Sequence, residues 1–350
     1  MKILFLYAEV TGYLMACLKA LRQHPEVSEI RVYQALNLRE TGFSFETPQD
    51  LPVYDAVGKT AEALLPEIRD FNPDLVFVSG WAFPQYLKLA RKLRKTGATM
   101  VIGNDTPWYG TLRQRAGALS TPFWLRPLFD VMWVPGTFQY EFARRLGFQK
   151  DKIATGLLSA DVDAFRAAGQ HRTFDSPYTL LSVGSMLPNK GMHRLVEAFE
   201  TLVAEGLKDW NMLLIGSGPM EQTLPQNGRV KVLPFIQPAD LPAVFGQAHA
   251  FSLASQKESW GVVIHEAAAA GMPLLVTERA GSTSAFVRDR YNGRLFDPAS
   301  ADDLLEKMRE LLTSSQQRLQ EMGNRSAELS LQLHPSMWAQ TFVNMRLDAK

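Results

Sequence analysis

Two glutamates and one lysine carry most of the chemistry that the residue types and spacing of this chain allow. Glu258 and Glu266 are separated by seven residues in the stretch Ser255–Pro273. An ionised carboxylate accepts several hydroxyl hydrogen bonds, so such a pair suits a polyhydroxylated ligand. Lys190 closes the run Ser182–Gly191, which joins an apolar strand-like segment to a helix start. A helix start presents unpaired N–H groups and the positive end of the helix dipole, where a phosphate is at home. Gly281-Ser282-Thr283 forms a turn that would aim backbone N–H groups at an anion. Each feature also has a plain structural reading. Glu258 and Glu266 would then be solvated and capping residues of an ordinary helix, and Lys190 a surface lysine in a turn.

The pattern Glu-(seven residues)-Glu, followed by Ala-x-Ala-x-Gly-x-Pro-Leu-x-Val-Thr through Thr277, resembles the signature of family 4 retaining glycosyltransferases. The likeness runs on through Ala280–Thr283 to Asn292-Gly-Arg-Leu-Phe-Asp-Pro298. That family has the GT-B architecture, two Rossmann-like domains facing across a cleft, with a terminal helix packing back on the first. The resemblance implies that Glu258 meets the hydroxyls of the donor sugar and Glu266 the ribose of the nucleotide. It implies that Gly184, Ser185 and Lys190 lie along the donor diphosphate, Lys190 as a catalytic cation. It also implies that Gly216-Ser217-Gly218-Pro219 and Phe235 lie near the nucleotide and its base, and Gly281, Ser282 and Thr283 near the diphosphate. Gly12, Asn104 and Asp105 would form the acceptor side, with Asp105 in an electrostatic catalytic role. Asp105 also suits an Asx-turn or helix cap before Thr106-Pro107. Two residues depart from the family pattern. Ser185 stands where an arginine is usual, with Arg279 as a candidate substitute, and Ala285 stands where a glutamate is usual. Asp161 and Phe165 match the family's exit from the interdomain strand.

The elements that must position these residues alternate as strand and helix, the mark of a parallel α/β sheet. In the first half, strands are expected at Lys2–Glu9, Ile30–Gln34, Leu75–Ser79, Thr99–Gly103 and Val131–Pro135. Helices are expected at Tyr13–Gln23, Ala61–Phe71, Phe83–Lys95 and Thr137–Leu146. The stretch Leu36–Val57 reads as a long polar connection. A turn-rich segment, Gly169–Pro177, suggests the boundary, giving domains at 1–168 and 169–334 and a returning helix at 335–350. Beyond it come strands at Leu180–Val183, Met212–Ile215, Val230–Leu233, Ala248–Ala254 and Leu274–Thr277. Helices follow at Met192–Glu205, Pro219–Leu224, Ala239–Gly246, Val262–Ala270, Asp302–Leu312 and Pro335–Arg346. The last carries Trp338, Phe342 and Met345 on one face.

Composition narrows the classes. The chain has 350 residues, 46% hydrophobic and 21% charged, with net charge +1, an ordinary globular balance with no pull toward nucleic acid. A single cysteine excludes an internal disulfide and a Cys-rich metal site. The six histidines lack metal-ligand spacing, and Asp161-Val162-Asp163 is a short match in a linker, so neither metal nor cofactor is expected. The first strand lacks Gly-x-Gly-x-x-Gly after it, which argues against a dinucleotide oxidoreductase. Met1–Tyr7 reads as a strand rather than a signal peptide, and no apolar run reaches the roughly 18 residues of a spanning helix, so the cytoplasm is the default. Five cations without an acid between Leu75 and Asn104 read as a solvated helix face or as contact with an anionic inner membrane surface. Arg113–Trp133, with Phe123, Trp124 and Phe129, reads as core packing, with an acceptor cleft or membrane edge as the alternatives. The expected partners are a UDP- or GDP-sugar and a sugar or lipid-linked acceptor. The competing reading is a GT-B-fold protein that binds nucleotide sugars with weakened catalysis.

Overall fold

The computed structural model describes residues 1–36 and 48–348. These form two compact α/β units, one running to Ser159 and completed by the segment from Pro335, the other spanning Ala160–His334. In the first unit the strands are β1 (Lys2–Tyr7), β2 (Glu29–Gln34), β3 (Val53–Asp55), β4 (Leu75–Val78), β5 (Thr99–Gly103), β6 (Val131–Trp133) and β7 (Ile153–Ala154). Between them run α1 (Gly12–Arg22), α2 (Ala61–Phe71), α3 (Pro84–Leu93), α4 (Leu112–Trp124) and α5 (Thr137–Arg145). All pairs are parallel, in the order β3-β2-β1-β4-β5-β6-β7. Helices cover both faces of such a sheet, so its central strands read as unbroken apolar runs; all four residues of β4 are buried. Edge strand β3 lies in the polar connection that sequence patterning leaves unassigned. The rest of that connection, residues 37–47, falls outside the described residues.

The second unit starts with α6 (Val162–Gly169), then β8 (Tyr178–Val183), α7 (Met192–Ala204), β9 (Trp210–Ile215) and β10 (Val230–Leu233). It continues through α8 (Leu241–Gln247), β11 (Ala250–Leu253), α9 (Val262–Ala269), β12 (Leu274–Thr277), the short α10 (Thr283–Phe286) and β13 (Gly293–Phe296). Helices α11 (Ala301–Leu312) and α12 (Gln316–Ser330) end it. Its strands are also all parallel, in the order β10-β9-β8-β11-β12-β13. The last helix, α13 (Pro335–Asp348), belongs to the first unit and packs on α1. Its Phe342 stacks on Trp133 at 5.1 Å, and Trp338 packs at 4.7 Å from the same ring. The Trp338 indole N–H donates to the Leu157 carbonyl at 2.7 Å, and Arg346 pairs with Asp74.

Three expectations change. The chain passes between units at Ser159–Ala160, not at the polar Gly169–Pro177 segment, because α6 buries Val162 and Phe165 within the second unit. Phe165 meets Phe245 of α8 edge-on at 5.0 Å, and this apolar contact outweighs the linker-like composition that follows. Pro219–Leu224 is a run of turns rather than a helix, since Met220 spends its N–H on the Met186 carbonyl and the others close local turns. Finally, Phe123 is 83% exposed and not core, although Phe129 is buried. Helix α4 turns Gln114, Gly117 and buried Thr121 inward, so its apolar side chains face outward. Among the described residues no helix is long and apolar enough to cross a membrane.

Candidate active site

In an open parallel sheet a ligand crevice forms beyond the carboxyl ends of two adjacent strands whose connections run to opposite faces. In the second unit that reversal falls between β8 and β11. The loop leaving β8 carries Gly184, Ser185 and Lys190, and the loop leaving β11 carries Ser255 and Glu258. Strand order therefore brings together two segments that lie 68 residues apart: Lys190 Nζ is 2.5 Å from Glu258 Oε2. Ser255 Oγ donates to the same oxygen at 3.1 Å, and the Gln256 N–H donates to the Asn189 carbonyl at 2.9 Å. Both charged side chains are mostly covered, at 23% and 18% exposure. Nothing in the motif announced this pairing. An ammonium has three donors, so Lys190 keeps two for a ligand while holding Glu258.

Two glycines make the close approach of these loops feasible. Gly191, at φ +70°, precedes α7; a Cβ there would fall 2.3 Å from the Ala254 carbonyl oxygen. Gly216, at φ +150°, sits so close to the β8 loop that a Cβ would fall 1.8 Å from the Gly184 oxygen. Gly218 packs in the same way on Met186. Helix α7 starts at Met192 without a side-chain cap, so its first-turn N–H groups receive no side-chain acceptor there. Ser217 Oγ accepts the Phe235 N–H at 3.2 Å, and the Phe235 ring is half exposed beside the β9 loop.

Glu266 lies in the second turn of α9, half-buried, and its carboxylate has no hydrogen-bond partner among the described residues. Burial, with the nearby charge of Asp161, pushes its pKa up from the ordinary 4.5 to about 7. Its neighbour His265 is fully buried and makes two backbone contacts. His265 Nδ1 accepts the Ala160 N–H at 3.0 Å, and Nε2 donates to the Ser330 carbonyl at 2.8 Å. Its ring stacks on Phe286 at 4.0 Å, and burial pulls its pKa down to about 4. His265 is therefore a neutral core residue that ties α9 to α12.

The Gly281–Thr283 turn differs from the expected anion nest. The Gly281 N–H donates to the Glu258 carbonyl, Ser282 N–H to the Trp260 carbonyl and Thr283 N–H to the Ala280 carbonyl. The hydroxyls of Ser282 and Thr283 donate to the carbonyls of Gly261 and Ala280. Gly281 and Ser282 thus hold the Glu258–Gly261 loop in shape, Thr283 closes its own turn, and none of these groups is a free donor. Arg279, the candidate substitute for a missing cation, pairs with Asp297 at 3.2 Å on the surface. Ser185 is exposed. Two residues that motif reading passed over do aim unused polar atoms inward: buried Trp260 leaves its indole N–H unpaired, and His193 leaves Nδ1 unpaired among the described residues. Their only sequence signal was position, Trp260 between the two glutamates and His193 in the first turn after Lys190. Asp161 caps α6 by accepting the Ala164 N–H, and Asp163 pairs with His334, so Asp-x-Asp serves helix α6. Among the described residues no group of three His, Cys, Asp or Glu could hold a metal ion.

The first unit has its own reversal, between β1 and β4, and a cavity of about 580 Å³ opens beyond those strands. Tyr7, Glu9, Thr11, Ser79, Asn104, Asp105 and Arg113 line it. Glu9 Oε1 and Ser79 Oγ are buried there without hydrogen-bond partners among the described residues. The Asn104 amide donates to the Thr106 carbonyl at 3.0 Å and its Oδ1 accepts the Thr106 N–H, shaping the loop as an Asx-turn would. Asp105 is exposed, and its carbonyl accepts from Gln139. Gly12 opens α1 between the lining residues Thr11 and Tyr13. Burial raises the Tyr13 hydroxyl pKa to about 12 and raises that of Tyr7, so both stay protonated donors.

Residues 164–328 match the family model described as Glycosyl transferases group 1. An uncharacterized glycosyltransferase of Haemophilus influenzae is 25% identical over 159 residues, 43% of this chain and 44% of that protein. Spore coat protein SA of Bacillus subtilis is 29% identical over 165 residues, 43% of this chain and 44% of that protein. The sulfoquinovosyl transferase SQD2 of Arabidopsis thaliana is 27% identical over 286 residues, 73% of this chain and 53% of that protein. The matches thus span about half, or somewhat less, of the length of these curated relatives. Among solved structures, Anabaena Alr3699/HepE in complex with UDP and glucose superposes with TM-score 0.73 at 16% identity, covering 98% of each chain. A trehalose-6-phosphate protein from E. coli bound with UDP-2-fluoro glucose gives TM-score 0.74 at 11% identity, covering 99% of each chain. The fold, two parallel-sheet α/β units, is that of the GT-B class.

Proposed function

We propose that this protein is a glycosyltransferase that moves a sugar from a nucleotide diphosphate-sugar to an acceptor hydroxyl, as family 4 retaining enzymes do, without a bound metal. The observation that carries this reading is the Lys190–Glu258 pair at the β8/β11 reversal, inside the segment matched by the group 1 model. Lys190 and the uncapped start of α7 hold the diphosphate. Glu258 accepts hydroxyls of the transferred sugar, and Glu266 accepts the ribose hydroxyls. Gly184, Ser185, Gly216 and Gly218 let the donor lie against backbone, and Phe235 stacks on the base. Charge builds on the diphosphate as the sugar departs, so donors placed there stabilise the transition state more than the ground state. The acceptor hydroxyl then attacks the anomeric carbon from the face the leaving group vacates. UDP is the first donor base to test, because the Anabaena and E. coli proteins hold uridine ligands. The acceptor, a sugar or a sugar-bearing lipid or polysaccharide precursor, would bind in the first unit, where Asn104 and Asp105 line the cavity and Gly12 lies between lining residues Thr11 and Tyr13.

The test is release of free nucleoside diphosphate from a panel of UDP- and GDP-sugars, with and without sugar acceptors, followed by proton NMR of the anomeric product. Release from one donor with retained configuration is the expected result. An inverted product would remove the retaining assignment. Binding without release would favour the second reading, a nucleotide-sugar-binding protein with weakened catalysis. That reading draws on Ser185 at the arginine position and on Arg279 being engaged by Asp297. Neither binding nor release from any donor would reject both.

A further inference from the structure

Helix α4 is built inside out. Its inward side carries Gln114, Gly117 and Thr121, and Gln114 spends its amide on the Tyr109 N–H and the Pro107 carbonyl. At 100° per residue, Leu112, Ala116, Leu119 and Phe123 fall within about 60° of one another on the opposite side. Leu112, Leu119 and Phe123 are 85%, 78% and 83% exposed, and Trp124, at the end of the helix, is 37% exposed. A single exposed leucine needs no explanation, whereas an aligned apolar stripe on the outside of a helix does.

We propose that α4 is an interfacial helix that seats this protein on an anionic lipid bilayer. The charge around the stripe selects that occupant. From Thr106 to Phe129 the chain has three arginines and no acidic residue. Arg113 lines the cavity, exposed Arg115 lies on α4 beside Leu112 and Leu119, and exposed Arg126 opens the turn that follows the helix; neither Arg115 nor Arg126 pairs with a carboxylate among the described residues. Basic residues beside an apolar face, with a part-exposed tryptophan at the helix end, match the boundary between headgroups and acyl chains. A second copy of the chain fits less well, since a two-fold contact through this stripe would set arginine against arginine with no acid to separate them. On α3 and the turn after it, Lys92 pairs with Glu62 and Arg94 with Asp130, and the apolar residues Tyr86, Leu89, Ala90 and Leu93 of α3 are buried, so α4 is the surface that joins exposed apolar residues to cations.

The experiment is co-sedimentation of the full chain with phosphatidylcholine vesicles and with vesicles containing about 30% phosphatidylglycerol. Wild type should partition to the anionic vesicles and release as salt rises. The pair Leu119→Ser with Phe123→Ser should weaken partition by about tenfold or more. The pair Arg115→Gln with Arg126→Gln should weaken it by about fivefold for each charge removed. Both variants leave the inward face of α4 intact, so their circular dichroism melts should match wild type. Failure of wild type to bind anionic vesicles would overturn the proposal, as would binding untouched by the serine pair. A wild-type dimer in sedimentation velocity that the serine pair dissociates would also overturn it, and would make the stripe a contact between copies.

Discussion

At the scale of single residues, Lys190 and Glu258 form one unit. On the proposed function, Lys190→Ala removes a donor to the diphosphate, and in any case it leaves a mostly covered carboxylate without its cation. Nucleoside diphosphate affinity should fall by about 1.5–3 kcal/mol, the scale of a charged hydrogen bond. In a Glu258→Gln background the same change should cost less, because no carboxylate is stranded. A cycle measured by calorimetry checks this, and purely additive losses would mean the pair acts as two separate groups. Glu266 makes a pH prediction. Burial pushes its carboxyl pKa up to about 7, and in the proposed contact the ionised form is the stronger acceptor for ribose hydroxyls. Nucleotide affinity should therefore rise between pH 6 and 8 in wild type and stay flat in Glu266→Gln. The stability sign is opposite. A carboxyl whose folded pKa is raised favours folding while protonated, and this contribution is lost as pH climbs from about 4.5 to about 7. Glu266→Gln should therefore stabilise the protein at pH 8 by on the order of 2 kcal/mol, and by much less near pH 5. Thermal melts at the two pH values test it.

At the scale of elements, α9 serves two masters through adjacent residues. Glu266 carries the proposed ribose contact, and His265 anchors the helix to Ala160 and Ser330. His265→Ala leaves two backbone groups unpaired and a cavity under Phe286, a loss of about 2–4 kcal/mol. Because its folded pKa is pulled down, neutral His265 contributes fully above about 6.5, and that contribution fades as pH drops toward 4. In a Glu266→Gln background, the acid-side loss of stability should be smaller once His265 is also replaced. The turn before α7 is equally exacting. Gly191→Ala pushes a methyl against the Ala254 carbonyl at 2.3 Å, which must separate the loops that carry Lys190 and Glu258. Weaker nucleotide binding with a lower melting temperature is the expected outcome.

At the scale of the whole molecule, each unit has its own sheet and its own core, and α13 completes the first of them. Trp338→Ala empties the space beside Trp133 and Phe5, a change worth about 3–5 kcal/mol. Scanning calorimetry should then lower one transition and leave the other nearly in place. UDP should raise the transition that Trp338→Ala does not touch, since Lys190, Glu258 and Glu266 all lie in the second unit. If the nucleotide raised the Trp338-sensitive transition instead, the donor would belong to the first unit.

Much of this was legible in the chain itself. Alternating apolar strands and amphipathic helices are local patterns, and they located most elements of both sheets to within a residue or two. The Glu258–Glu266 stretch was equally legible, because its strand, loop and helix are continuous in sequence. The face of Trp338 and Phe342 announced that the last helix is buried. Tertiary structure alone decided what depends on partners far along the chain. Strand order placed β8 beside β11 and so set Lys190 against Glu258 across 68 residues. The turn Gly281–Thr283 had spare amides only until the Glu258 and Trp260 carbonyls claimed two of them. Helix α4 has an apolar stripe that sequence assigns to a core, yet its inner side is filled by Gln114 and Thr121, which leaves the stripe outside. Periodicity records which residues share a face; which way the face turns is settled only when competing contacts are counted in three dimensions.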